Sequence, residues 1–108
     1  MPARQMSSIN RPGHTDVRWF HSETVTDANS DPVIVPSIGR DAAIAVTPGT
    51  NAKVQYTLSD YDAIEADTAV WYDWDAGVIT DPTADAVAGS VSALRLVSTG
   101  ASSWQVSV

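Results

Sequence analysis

Along most of this chain, apolar and polar residues alternate with a period of two, and the alternation is broken at short intervals by Gly, Pro, Asn, Asp and Ser. That period belongs to strands with one face buried and one face wet. The last run shows it best. Trp104, Val106 and Val108 alternate with Ser103, Gln105 and Ser107, and because the final residue belongs to the pattern, this end is expected to be built into the fold. Residues 17–26 read as a first strand, with Val17, Trp19 and Val25 on one face and Phe20 on the other. Residues 27–31 read as a turn, whose Asp and Asn side chains can bond their own backbone. Pro32 and Pro36 bracket 33–35, which predicts an edge segment, since proline cannot donate to a ladder.

The middle of the chain predicts a hairpin. Residues 41–47 form one strand, Pro48-Gly49-Thr50-Asn51 a tight turn, and 52–58 the returning strand. Val54, Tyr56 and Leu58 point inward there, with Lys53, Gln55 and Thr57 outward. Residues 59–67 are the one helical candidate, with Ser59 or Asp60 as cap and Ile64 turned to the core. Residues 69–74 make a strand with Val70, Tyr72 and Trp74 on one face and Trp71, Asp73 and Asp75 on the other. Ala76-Gly77 turns the chain toward Val78 and Ile79, and 80–90 read as a loop with a short extended piece around Val87. Residues 91–98, with Leu94 and Leu96 inward, close a last hairpin with 103–108 across Thr99-Gly100-Ala101-Ser102. Seven or eight short strands and one short helix predict an all-β fold, a single β-sandwich or jelly-roll-like domain. Residues 1–16, with Pro2, Pro12, Gly13 and few apolar groups, read as an extended N-terminal arm, leaving 17–108 as the sandwich.

Composition narrows the function. A chain of 108 residues makes one domain with a modest core, which oligomerisation would help. Without cysteine there is no disulfide and no thiolate chemistry, which favours assembly in the cytoplasm. No apolar run is long enough to span a membrane, and the polar N-terminus does not read as a signal peptide. The net charge is −7. Residues 1–18 carry Arg4, Arg11 and Arg18 against Asp16, so the excess of acid lies in the body, which argues against nucleic acid as a partner.

Candidate chemistry is sparse. His14 and His21 do not converge with further ligands, so no zinc site is expected. Asp60-x-Asp62, Asp73-x-Asp75 and Asp81-x-x-x-Asp85 are fragments of calcium loops without the full pattern. The two glutamates, Glu23 and Glu65, have nothing in the sequence to desolvate them, and there is no Gly-x-Ser-x-Gly elbow. The expectation is therefore no catalytic residue, no metal, no cofactor and no small-molecule substrate. Aromatic residues carry more. Trp74 and Trp104 fit core positions. Trp71 shares the outward parity of Asp73, and Trp19-Phe20 put one aromatic on each face of the first strand, so at least one of these is expected to be covered by a partner.

The run from Thr50 to Val108 resembles small all-β virion proteins of tailed bacteriophages. The residues that carry the likeness are AKVQYTLSD, the acidic segment IEADTAVW, WDAG followed by valine, GSVSALRLVSTG, and the terminal strand WQVSV. The resemblance implies a capsid decoration (cement) protein or a part of a head fibre: a β-sandwich without catalysis, commonly a homotrimer seated on the major capsid protein of a virion assembled in the host cytoplasm. In that reading Arg4, Arg11, Arg18, Trp19, Phe20 and Trp71 meet neighbours, and trimming residues 1–16 abolishes docking while leaving the fold intact. Other readings are a neck, tail or head-fibre-base protein, and a carbohydrate-binding module that stacks sugars on Trp71 and Tyr72 or Trp74 beside Asp73 and Asp75.

Overall fold

The computed structural model describes residues 3–10, 17–36, 41–87 and 91–108. In chain order the elements are β1 (Arg4–Gln5), β2 (Ser7–Asn10), β3 (Val17–Thr26), β4 (Val33–Ile34), β5 (Ala42–Thr47), β6 (Asn51–Thr57), α1 (Tyr61–Glu65), β7 (Trp71–Asp73), β8 (Thr83–Val87), β9 (Ala93–Thr99) and β10 (Ala101–Ser107). They form two five-stranded sheets. Sheet I runs β1-β4-β9-β6-β7 and sheet II runs β2-β3-β10-β5-β8. Position by position, each strand of sheet I has a chain neighbour at the same place in sheet II: β1 with β2, β4 with β3, β9 with β10, β6 with β5, β7 with β8. The fold is thus an all-β sandwich in which the chain repeatedly steps from one sheet to the other.

Both expected hairpins turn out to be such steps. β5 pairs with β10 and β8 in sheet II, whereas β6 pairs with β9 and β7 in sheet I. β9 and β10 are divided between the sheets in the same way. Alternation cannot tell a hairpin from a corner, because strands facing each other across a core bury the same parity as strands side by side. The corners are held by one another. Thr50 N–H donates to Thr99 O at 2.9 Å, Gly49 N–H to Ser102 Oγ at 2.9 Å, and Gly100 N–H to Asp27 Oδ1 at 2.7 Å. Three crossings therefore meet at one end of the sandwich. A Cβ on Gly49 would lie 2.6 Å from the backbone N and O of Ala101. Gly49→Ala is accordingly expected to cost about 1–3 kcal/mol, read as a lower urea midpoint at unchanged slope.

The N-terminal segment is the second departure. Over its described part it is extended, but it is not separate. Arg4 and Gln5 pair in parallel with Val33 and Ile34 in sheet I, and 7–10 pair antiparallel with 17–20 in sheet II. Met6, at the crossing between them, is 4% exposed. The same segment makes β4 an interior strand and not the expected edge. β1 covers its free side, with Arg4 N–H donating to Pro32 O at 2.7 Å. A third departure is 80–90: Thr83–Val87 pairs with β5 as an edge strand, although its Ala/Asp composition gives little strand signal.

The core between the sheets contains Trp104, Leu94, Leu96, Ile44, Val33, Val46, Val54 and Val106, with Trp74 at the β7 side. Helix α1 forms where expected. Asp60 caps it by accepting Ala63 N–H at 2.9 Å. Ile64 is buried but stands apart from the inter-sheet cluster, so the helix shields its own small patch and does not add to the main core. The C-terminal residue is held as the pattern required: Val108 exchanges both backbone bonds with Trp19.

Candidate functional site

Three surfaces gather the residues singled out by sequence. The first is internal. His21 and Glu23 share the inward parity of Trp19 and Val25, opposite Val106 and Trp104 of β10. Glu23 Oε1 accepts the indole N–H of Trp104 at 3.0 Å, and the His21 ring meets Trp104 edge to face at 6.0 Å. His21 Nε2 lies 3.2 Å from the same Glu23 oxygen, but among the described residues this buried nitrogen has no hydrogen-bond partner. Glu23, which nothing in the sequence was expected to bury, is partly buried. Its parity with Trp19 and Val25 was the signal for it. The sheet itself separates this pair from the outward hydroxyls of Ser22, Thr24 and Ser103, so no nucleophile and base converge here.

The second surface is the outer face of sheet I. Trp71 does face outward, but its ring is covered from within the chain. The Arg95 guanidinium carbon stands 4.3 Å over the ring centroid, a cation–π contact. Arg95 Nε–H donates to Gln55 Oε1 at 2.8 Å, and Gln55 Nε2–H donates to Asp73 Oδ1 at 2.9 Å. Lys53 Nζ adds an ion pair to Asp73 at 3.4 Å. The Gln55 amide, with Lys53 behind it, holds the Asp73 carboxyl below the usual carboxylate range, while burial pulls the Arg95 guanidinium below its ordinary value and Asp67 opposes that. Cross-strand register places these groups side by side: Gln55 pairs with both Asp73 and Arg95. This face is closed by its own polar network.

The sugar platform imagined from sequence is not assembled. Trp71 and Tyr72 lie on opposite faces of β7, and Trp74 is 6% exposed. Tyr72 is half-exposed and stacks on Tyr56 with centroids 5.7 Å apart. Val70 and Leu58, expected inward, are exposed; they lie just beyond the ends of β7 and β6.

The third surface is the outer face of sheet II, and it is unlike the rest of this acidic chain. Register arranges it in rows across the strands. One row holds Ser7, Phe20, Ser107, Ala43 and Ala86. The next holds Ser22, Gln105, Ala45 and Ala84, and the third Thr24, Ser103 and Thr47. No described side chain in these rows is charged. A hollow of about 480 Å³ lies over the alanines, lined also by Phe20 and, from the edge strand β8, by Asp85.

The six expected contact residues therefore separate. Phe20 lies on this uncharged face. Trp19 is partly buried against the chain's own core, and Trp71 lies under Arg95. Arg4 pairs with Asp31 at 3.0 Å and is not held out on a free arm. Arg11 is outside the described residues. Arg18 is placed in β3 opposite Ile9 and shares the parity of Phe20, but its side chain is outside the description. Among the described residues no group of three or more His, Cys, Asp or Glu is placed to hold a metal ion. Asp60 is a helix cap, and Asp85 Oδ1 accepts the N–H of Ala86 at 2.8 Å.

No family model matches the chain, and no curated protein matches it. Among solved structures the chain is similar to an oxalate oxidase, from a structural and spectroscopic study of its mechanism, at 14% identity and a TM-score of 0.46. The match covers 83% of this chain and 40% of that one, so the chain spans well under half the length of that enzyme, and a likeness of this degree says nothing about activity.

Proposed function

We propose that this chain is a non-catalytic structural protein of a tailed-bacteriophage virion, a capsid decoration (cement) protein that binds and stabilises the head shell. The observation that carries the reading is the outer face of sheet II. A chain with a net charge of −7 keeps the described side chains of three successive rows across one sheet face free of charge. A surface of that kind suits a broad protein contact, whereas catalysis needs converging polar groups. The resemblance of residues 50–108 to phage virion proteins supports the setting, with the major capsid protein as the partner and the host cytoplasm as the place of assembly. The docking mode differs from the one expected from sequence. Residues 4–10 belong to the sheets, so contact with the shell falls to a face of the sandwich and not to a loose arm.

Mass spectrometry of gradient-purified particles from a culture that produces this sequence tests the reading. A copy number of the order of the major capsid protein's is the expected result. Far fewer copies per particle would move the protein to the neck, tail or fibre base, and its absence from particles would overturn the virion assignment.

A further inference from the structure

We propose that the outer face of sheet II seats a second copy of this chain, paired face to face about a two-fold axis running along β10. The inference rests on the reading that this face is a protein contact; it gives the face to a second copy, so that contact with the shell falls to the other surfaces of the pair.

Register makes the face self-complementary. β10 is the central strand of sheet II, with β3 on one side and β5 on the other. A two-fold along β10 lays β3 of one copy over β5 of the other and leaves β10 facing itself. Phe20 of β3 and Ala43 of β5 flank the same residue of β10, Ser107. The rotation therefore carries each Phe20 onto the partner's Ala43, into the hollow of about 480 Å³. One large ring enters a groove floored by alanines, twice, by symmetry. Gln105 meets its own copy at the centre, and an amide can donate to and accept from another amide.

Charge and area agree with this choice of occupant. Two copies of an acidic chain repel unless their carboxylates stay about a Debye length apart, about 8–10 Å. A contact made through uncharged rows keeps the acids at the periphery, with Asp85 of the edge strand β8 the acid that borders the hollow. Five strands about 4.8 Å apart, with on average about six residues rising about 3.4 Å each, give a face of about 500 Å² per copy. A pair thus buries about 1,000 Å², at the lower bound of specific interfaces. Lateral association by edge pairing is opposed at β8, where the carboxylate of Asp85 sits on the edge and occupies the N–H of Ala86. The two-fold pair takes the place of the three-fold arrangement that the phage resemblance implies.

Sedimentation velocity of the full chain over a concentration series tests this. The expected species is a dimer in exchange with monomer. Ala45→Glu introduces a charge at an exposed site facing Ser22 of the other copy, since Ser22 and Ala45 flank Gln105 in one row, and should weaken association at least 100-fold. Ser22→Lys combined with Ala45→Glu should restore the dimer, because each new lysine faces a new glutamate of the other copy. Circular dichroism confirms that each variant is folded. A monomer or a trimer at all concentrations, or a dimer indifferent to Ala45→Glu, overturns the proposal. A dimer that is absent from purified particles leaves the pairing standing and removes the virion reading, while a monomer abundant in particles does the reverse.

Discussion

Replacing Trp104 with alanine is expected to remove about 3–5 kcal/mol of folding free energy. The indole is 1% exposed, and its strand is the middle one of sheet II, in register with Glu23 on one side and Val46 on the other. Truncation leaves a cavity that flanking strands, fixed by their ladders, cannot close. It also takes the indole N–H from Glu23 and the ring edge from His21, leaving a carboxylate and an imidazole beside the void with less to satisfy them. In a domain whose whole stability is about 5–15 kcal/mol, that loss leaves a marginal fold. Trp104→Phe separates the two effects. It keeps most of the volume and loses the hydrogen bond, so about 1–3 kcal/mol is expected. Urea denaturation followed by circular dichroism measures both. An alanine variant within about 1 kcal/mol of the parent would be incompatible with this core.

Deleting residues 1–10 is expected to be at least as damaging, although the sequence suggested a dispensable arm. The deletion removes β1 and β2 and takes the buried Met6 from the core, itself about 1.5–3 kcal/mol of apolar burial. It also uncovers one side of β4 and one side of β3, turning the ladder groups that faced the lost strands into open edges. Pro32 and Pro36 already limit β4 to two residues, so that strand has few other bonds to hold it. A thermal melt of the shortened chain should shift down by many degrees or lose its cooperative transition. A melt matching that of the full chain would show that 4–10 is an appendage after all.

The two results bear on function together. If the N-terminal strands are structural, removing them cannot isolate a docking step, because loss of incorporation would then follow from loss of the fold. Point changes on the outer face of sheet II are the cleaner probes, since Ser22, Ala43 and Ala45 are exposed there.

Periodicity by itself determined the fold class, most strand positions and the inward parity of Trp104, Val106, Leu94, Leu96 and Val54. It also placed the short helix with its Asp60 cap and the outward turn of Trp71. Each of these depends on spacing along one strand or one helical turn, which the chain carries locally. Tertiary structure alone decided which strands share a sheet. Asn51–Thr57 looks the same beside Ala42–Thr47 as across from it, and only the mutual contacts of Gly49, Gly100 and Asp27 make those junctions corners. It alone made partners of residues far apart: Met6 joined a core whose other members run from Val25 to Val108, Arg95 covered Trp71, and Glu23 received the indole of Trp104. And it alone assembled the uncharged face, since Phe20, Ala43, Ala86 and Ser107 come from four strands whose lateral order no local pattern encodes.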